Sequence, residues 1–128
     1  MRAAAALAAD GVSFLLVGSA ALWLRSEPVT VADVDVAIKP GLANLRCLHA
    51  ALVSLALRPR DVPAPRRLAG LPIVTIAISY GRVDCLLDRD RRDWEQLRRG
   101  AGQVAVADVN FLVAGANDAW ALRHRFKG

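Results

Sequence analysis

The segment that most constrains the fold is an alternating run at residues 31–38, which reads Val-Ala-Asp-Val-Asp-Val-Ala-Ile. From position 34 onward its large aliphatic side chains occupy every second place, and Asp33 and Asp35 fall on the opposite face. Successive side chains of a β-strand point to opposite faces, so this pattern predicts a strand with one apolar and one acidic face. Such a strand requires a sheet whose apolar face is covered by other elements.

The flanking sequence predicts alternating helices and strands. Arg2–Ala9 is rich in Ala and Leu and is followed by Asp-Gly, which predicts a short helix. The apolar run Ser13–Val17 has the length of a central buried strand, and Gly18-Ser19 predicts the start of a second helix over Ala20–Arg25. The later elements are predicted as a helix over Leu42–Leu57, a loop over Arg58–Leu71, strands over Ile73–Ile78 and Arg82–Leu87, a helix over Asp90–Arg99, a strand over Val104–Val106 and a helix over Val109–Phe126 capped by Asp108.

This order of elements predicts an α/β (α+β) fold with a mixed four- to five-stranded sheet flanked by helices. The chain has 128 residues, which predicts a single domain, 1–128. Apolar residues make up 55% of the chain, enough to build a core and to exclude intrinsic disorder.

Three acidic side chains carry most of the chemical information. Asp33 and Asp35 would lie about 6–7 Å apart on one face of a strand, and Asp84 lies on a later predicted strand. Two carboxylates this close repel each other unless a cation lies between them, and Mg²⁺ prefers hard oxygen ligands. The pair therefore predicts a divalent-metal site, which Asp84 joins if its strand is a neighbour. The alternative is a solvated face of an edge strand, where charge opposes aggregation.

The turn at Gly18-Ser19 adds a second feature, because a predicted strand ends there and a predicted helix begins. This geometry directs free backbone N–H groups and the positive end of a helix dipole to one point. Gly18 would let a phosphate approach the backbone, and Ser19 would add a hydroxyl donor. The alternative is an ordinary helix cap. A phosphate-binding turn followed closely by a two-carboxylate strand predicts a site for a metal-bound polyphosphate.

Together, Gly18-Ser19, the Asp-x-Asp of Asp33 and Asp35, and Asp84 on a later strand resemble the nucleotidyltransferase superfamily with the DNA polymerase β-like fold. More narrowly, they resemble the small nucleotidyltransferases of bacterial toxin–antitoxin and abortive-infection systems. The resemblance covers roughly residues 10 to 125 and includes the order of the elements. It implies a minimal nucleotidyltransferase fold.

The resemblance implies an enzyme that moves a nucleoside monophosphate from an NTP to a hydroxyl of an RNA (tRNA) or protein acceptor and releases pyrophosphate. The three aspartates would be catalytic and would bind Mg²⁺ or Mn²⁺, and Asp84 would activate the attacking hydroxyl. Gly18 and Ser19 would bind phosphates, with Arg82 as a further phosphate contact. The implied partners are the NTP, the acceptor, and a second copy of the chain or a cognate partner protein of a toxin–antitoxin system.

Two other functions stay open at this point. Many relatives carry a Lys in the final helix that reaches the nucleotide, and residues 111–118 contain none. This favours a catalytically silent nucleotidyltransferase-like binding module or antitoxin-type partner protein. The third hypothesis is a small α/β RNA-binding or structural protein in which the three carboxylates coincide by chance.

The charge and cysteine content set broad limits. The net charge is +5, which indicates either a basic surface for nucleic acid or nucleotide, or a coding bias towards Arg. The arginines of the loop at residues 58–71 fit either a lid that contacts RNA or a solvated loop. Cys47 and Cys85 show no metal-binding spacing, which predicts buried thiols in the cytoplasm. The apolar stretch Gly11–Leu24 is shorter than the roughly 20 residues that span a bilayer, so no membrane association is expected.

Overall fold

The computed structural model describes residues 2–24, 33–87, 90–106 and 108–120, except for the side chains of Ser19 and Trp23. The described helices are α1 (Arg2–Ala9), α2 (Gly18–Leu24), α3 (Leu42–Leu55), a 3-10 turn (Pro59–Asp61), α4 (Pro65–Leu68) and α5 (Arg91–Arg99), and residues 116–120 are also helical. The described strands are β1 (Phe14–Val17), β2 (Val34–Ile38), β3 (Ile73–Ile78), β4 (Gly81–Leu86), β5 (Gly102–Val106) and β6 (Val109–Val113). Among the described helices, none has the length and apolar character needed to cross a membrane.

The six described strands form one mixed sheet in the order β3-β4-β2-β1-β6-β5. At its centre, β1 pairs antiparallel with β2 and parallel with β6, and all four of its residues are buried. On its other side, β2 pairs parallel with β4. At the two edges of the sheet, β3 pairs antiparallel with β4 and β5 pairs antiparallel with β6. The prediction that the first apolar run forms a central strand is confirmed, because β1 has strand partners on both sides.

The core lies between this sheet and the helices packed on it. The buried leucines of α3 follow helical spacing, and α3 also contacts α1. Along the edge strand β3, Val74, Ile76 and Ile78 are buried while the residues between them are exposed or half-buried. One face of β3 is therefore covered by the core and the other is open to solvent.

The predicted fold class is confirmed, with two corrections. The sheet has six described strands rather than four or five. The predicted helix over Val109–Phe126 is wrong in its first part, because Val109–Val113 forms β6 and helical residues begin only at 116. Asp108 does not cap a helix but lies in the turn between β5 and β6. Residues 121–126 lie outside the described part of the chain.

The physical reason for the second correction is long-range pairing. The sequence Val-Asn-Phe-Leu-Val is short, and its apolar residues fit a strand as well as a helical turn. A strand at this position supplies hydrogen-bond partners for the edge of β1 that does not face β2. Leu16 of β1 is in register with Val113, and the carbonyl of Leu16 accepts a hydrogen bond from the N–H of Ala114 (2.9 Å). Buried backbone groups at the sheet centre need such partners, and only a strand supplies them.

The other boundaries shift by a few residues. The strand predicted at residues 31–38 is observed from Val34, and residues 31 and 32 lie outside the described part. The region predicted as a loop at residues 58–71 contains the 3-10 turn and α4, each of which begins at a proline. The helix predicted at Asp90–Arg99 is observed as α5, and Asp90 caps it, since its Oδ1 accepts a hydrogen bond from the N–H of Asp93 (2.8 Å).

Candidate active site

The acidic residues meet at one end of the sheet, because of how β1, β2 and β4 are directed. β1 runs towards this end and stops at Gly18, while β2 starts from it immediately after Asp33. β4 is parallel to β2 and also starts here, so that Asp84 is in register with Asp35 on the neighbouring strand. The prediction depended on the strand of Asp84 lying beside that of Asp35, and the register places it there.

Asp35 and Asp84 are buried, with only 7% and 5% of their surfaces exposed. Burial and a hydrogen bond to Asp84, together with the negative charges of Asp84 and Asp33, raise the pKa of Asp35 from 3.8 to about 7. Desolvation is the first of these causes, because a carboxylate loses its hydration in the protein interior. Asp35 therefore keeps its proton to a higher pH than an exposed aspartate does, and its protonated form can donate a hydrogen bond to Asp84.

Arg82 links the third carboxylate to this pair. Its Nη2 lies 3.1 Å from Oδ2 of Asp33, and its Nε lies 3.4 Å from Oδ2 of Asp84. The guanidinium is about half exposed, and its positive charge lowers the pKa of Asp35 in opposition to the larger causes named above. Arg82 thus compensates the charge of Asp33 and part of the charge of Asp84, but a single guanidinium does not balance three adjacent carboxylates.

Thr75 is a residue of the candidate site that the sequence analysis did not single out. It lies on β3 in register with Asp84, and its hydroxyl donates a hydrogen bond to Oδ1 of Asp84 (2.7 Å). A short bond to a carboxylate is stronger than one between neutral groups and fixes the rotation of the carboxylate. Threonine is a common residue in β-strands, so the sequence alone gives no reason to select Thr75. Only its register with Asp84 on the neighbouring strand shows that it belongs to the site.

Gly18 is held in a left-handed conformation, with φ of +61°. A Cβ added at this position would overlap Oδ2 of Asp35, which leaves no room for any side chain. The sequence analysis explained this glycine by the close approach of a phosphate. The structure gives a different reason, because Gly18 makes space for the carboxylate of Asp35. Ser19 lies in the first turn of α2, and its side chain is outside the described part of the chain.

A divalent cation is compatible with part of this arrangement. Asp35 and Asp84 present carboxylate oxygens to each other with too little positive charge nearby, which is the environment that a hard cation stabilises. Asp33 is bound to Arg82 instead. Within the described residues, no three His, Cys, Asp or Glu side chains form a ready-made metal cluster. The two buried carboxylates therefore fit a cation, and Asp33 would join them only after leaving Arg82.

A recess of about 260 Å³ lies along β3, next to the residues that contact Asp84. Its walls include Thr75 and Arg82, which both contact Asp84, and Arg58 from the segment that follows α3. The Arg58 guanidinium is 63% exposed and lies 3.8 Å from the Asp61 carboxylate, a loose ion pair that a ligand can replace. The site therefore has Gly18 on one flank and a basic recess on the other.

Cysteine chemistry does not contribute to this site. Cys85 follows Asp84 on β4 but is fully buried, and burial together with the charges of Asp84 and Asp35 raises the pKa of its thiol. The thiol therefore stays protonated, whereas a nucleophilic cysteine requires a thiolate. The prediction of buried thiols is confirmed for Cys85 and wrong for Cys47, which is only half-buried. Both cysteines are free, so no disulfide links them.

Comparisons with known proteins support the fold. No family model matches the chain, and no curated protein does. Among solved structures, the chain is similar to a protein from Thermotoga maritima described as a "putative nucleotidyltransferase", with a TM-score of 0.67 and 14% sequence identity. The alignment covers 98% of this chain and 81% of the other. At this identity the likeness shows a shared nucleotidyltransferase-like fold, which confirms the expected resemblance at the level of architecture.

Proposed function

We propose that this protein is a metal-dependent nucleotidyltransferase that moves a nucleoside monophosphate from an NTP to a hydroxyl of an RNA or protein acceptor. The observation that carries the proposal is the pair of buried carboxylates, Asp35 and Asp84, in register on neighbouring parallel strands. Burial of two like charges is costly, and no apolar packing reason requires acids at these positions. The nucleotidyltransferase-like fold supplies a reaction class that uses such a pair.

The proposed roles follow from where the residues lie. Asp35 and Asp84 would hold the cation, and Asp33 would join them when the positive charge of that cation replaces Arg82 as its partner. A bound Mg²⁺ or Mn²⁺ would polarise the phosphoryl group and neutralise the charge that develops on the leaving pyrophosphate. Arg82, once released from Asp33, would be free to contact a phosphate oxygen bound beside the same carboxylates. Its planar guanidinium suits that contact.

The two flanks of the carboxylates suggest where the substrates bind. The turn at Gly18 and Ser19, at the start of α2, is the proposed site for the phosphates of the nucleotide. The recess on the other side of Asp84 is open to solvent and is lined by Arg58 and Thr75, so it is the proposed entrance for the acceptor. Asp84 lies between the two and accepts the proton of the attacking hydroxyl, oriented by its bond from Thr75.

The first test of this function is cation binding measured without any reaction. Calorimetric titration with Mn²⁺ should show binding to the wild-type protein, and Asp35→Asn and Asp84→Asn should each weaken it at least tenfold, since each removes one charged ligand. Asp10→Asn is a matched control, because Asp10 is an exposed aspartate at the end of α1. Loss of Mn²⁺ binding in this control would show that the measured ions bind the surface in general.

The second test is turnover. The protein is incubated with Mg²⁺, each α-³²P-labelled NTP in turn, and either total RNA or protein that co-purifies with it. Label transferred to one acceptor, and lost in Asp84→Asn but retained in Asp10→Asn, supports the proposal and identifies the acceptor class. Mn²⁺ binding without label transfer to any acceptor would refute the catalytic proposal while leaving the metal site intact.

A second candidate function is a catalytically silent domain that binds a partner protein, such as the other half of a toxin–antitoxin pair. The specific observation in its favour is Arg82, whose guanidinium bridges Asp33 and Asp84 and already compensates their charge. In this alternative the arginine replaces the cation permanently. Wild-type protein that binds no Mn²⁺, even with an NTP present, would favour it over the enzyme.

A further inference from the structure

A second concave site lies at the end of the sheet opposite the carboxylates. β1 starts at this end, after Ser13, and β2 finishes here, before Lys39. The cavity has a volume of about 430 Å³, within the range of small-molecule sites in proteins. A strand of four residues separates it from Gly18, so it does not share walls with the acidic site.

The inner wall of the cavity is aromatic. Phe14 of β1 and Phe111 of β6 pack as a tilted pair with ring centroids 6.4 Å apart, and Trp94 of α5 lies beside them in the wall. All three side chains are at least nine-tenths buried, so they form a firm surface rather than a mobile one. An apolar group of a ligand would contact these rings together with Leu112.

The rim of the cavity is polar and carries more positive than negative charge. Lys39 and Arg98 contribute cations, Glu95 contributes one carboxylate, and exposed Asn110 contributes an amide. Within the described ranges neither Lys39 nor Arg98 has a carboxylate within 4.0 Å. Two cations at one cavity that form no ion pair with the described residues are typical of a site that accepts an anion.

The backbone that carries Lys39 is held in place mainly by the side chain of Asn44. The side chain of Asn44 accepts a hydrogen bond from the N–H of Ser13 (2.7 Å) and donates to the carbonyls of Ser13 and Lys39 (2.9 Å each). The N–H of Lys39 donates to the carbonyl of Ser13 (3.1 Å). These four bonds fix the backbone under Lys39. A preorganised rim reduces the entropy that a ligand loses on binding.

We propose that this cavity binds a small organic anion, with its carboxylate, sulfonate or phosphate group between Lys39 and Arg98 and a flat apolar group against the aromatic wall. The volume is too small for a folded partner and suits a molecule of one or two rings. The Asp35–Asp84 site takes no part in this binding, so the inference holds whether or not the protein transfers nucleotides.

The probe for the test is 8-anilinonaphthalene-1-sulfonate, which combines an anion with a flat apolar body and fluoresces when bound. Titration of the folded wild-type protein should give saturable binding. Lys39→Gln and Arg98→Gln should each raise the dissociation constant about tenfold, because a contact to a charged group is lost. Arg99→Gln is the matched control, since Arg99 is the exposed neighbour of Arg98 on α5 and does not line the cavity.

The place of binding is checked by amide and indole NMR shifts, which should change at Trp94, Asn110 and the backbone of Lys39. Competition then separates the chemical requirements: 1-naphthoate and 1-naphthyl phosphate should displace the probe at least tenfold better than uncharged 1-naphthalenemethanol. The proposal is overturned if the shifts map to another surface, if Arg99→Gln weakens binding as much as Arg98→Gln, or if the uncharged compound competes equally well.

Discussion

Replacement of Asp35 by asparagine should stabilise the protein above neutral pH when no divalent cation is present. Burial and the neighbouring carboxylates raise the pKa of Asp35 from 3.8 to about 7, so the folded state holds a proton that the unfolded chain releases. The stability that this proton provides is present at low pH and is lost as the pH rises from about 4 to about 7. Asparagine has no charge to bury, and its amide can donate to Asp84 at every pH.

The magnitude follows from the size of the pKa displacement. Each step of one in pKa corresponds to about 1.4 kcal/mol, so ionised Asp35 destabilises the fold by up to about 4 kcal/mol. Part of this destabilisation is already present at pH 5, because that pH lies above the pKa of 3.8 that Asp35 has in the unfolded chain. The stability of Asp35→Asn relative to wild type should therefore increase by about 2–3 kcal/mol between pH 5 and pH 8.

The assay is urea denaturation of both proteins in EDTA at pH 5, 6, 7 and 8, followed by circular dichroism. Asp10→Asn serves as the control, and its stability relative to wild type should change by less than about 0.5 kcal/mol over the same range, as expected for an exposed group. The reasoning is refuted if Asp35→Asn has the same stability relative to wild type at pH 5 and pH 8, or if it is less stable than wild type at pH 8.

Three further predictions concern the residues around this carboxylate. Thr75→Val should lower the free energy of unfolding by about 1 kcal/mol in urea denaturation and weaken Mn²⁺ binding, because Asp84 loses the hydrogen bond that orients it. Thr75→Ser keeps the hydroxyl and should retain both stability and Mn²⁺ binding. Equal losses in the two variants would contradict this role. Gly18→Ala should lower the free energy of unfolding by about 2–4 kcal/mol, and Gly11→Ala by about 1–2 kcal/mol. Both glycines have a positive φ, but only Gly18 lies against a carboxylate. Similar losses in the two variants would show that backbone strain alone matters. Arg82→Gln should tighten Mn²⁺ binding about two- to fivefold in calorimetry, because the half-exposed guanidinium no longer competes with Mn²⁺ for Asp33 and Asp84. Weaker binding would mean that Arg82 supports the metal site rather than opposing it.

The local elements were predictable where the sequence pattern has only one physical solution. The acidic and apolar faces of β2 follow from alternation, because no helix would separate those residues in this way. The break at Gly18 and the cap at Asp90 follow from backbone and side-chain hydrogen bonding that acts over a few residues. The acidic residues could be singled out for the same reason, since charge at strand positions is costly without a function.

The tertiary structure decided what depends on residues far apart in the chain. Val109–Val113 became a strand because β1 has a second edge to pair, and that edge is almost one hundred positions away in sequence. Thr75 and Arg82 acquired their roles from the register of β3 and β4, which sets them beside Asp84. The sequence by itself singled out the three acidic side chains as candidates. Only the packed sheet decided which of them meet and which charge compensates them, because those interactions act through space rather than along the chain.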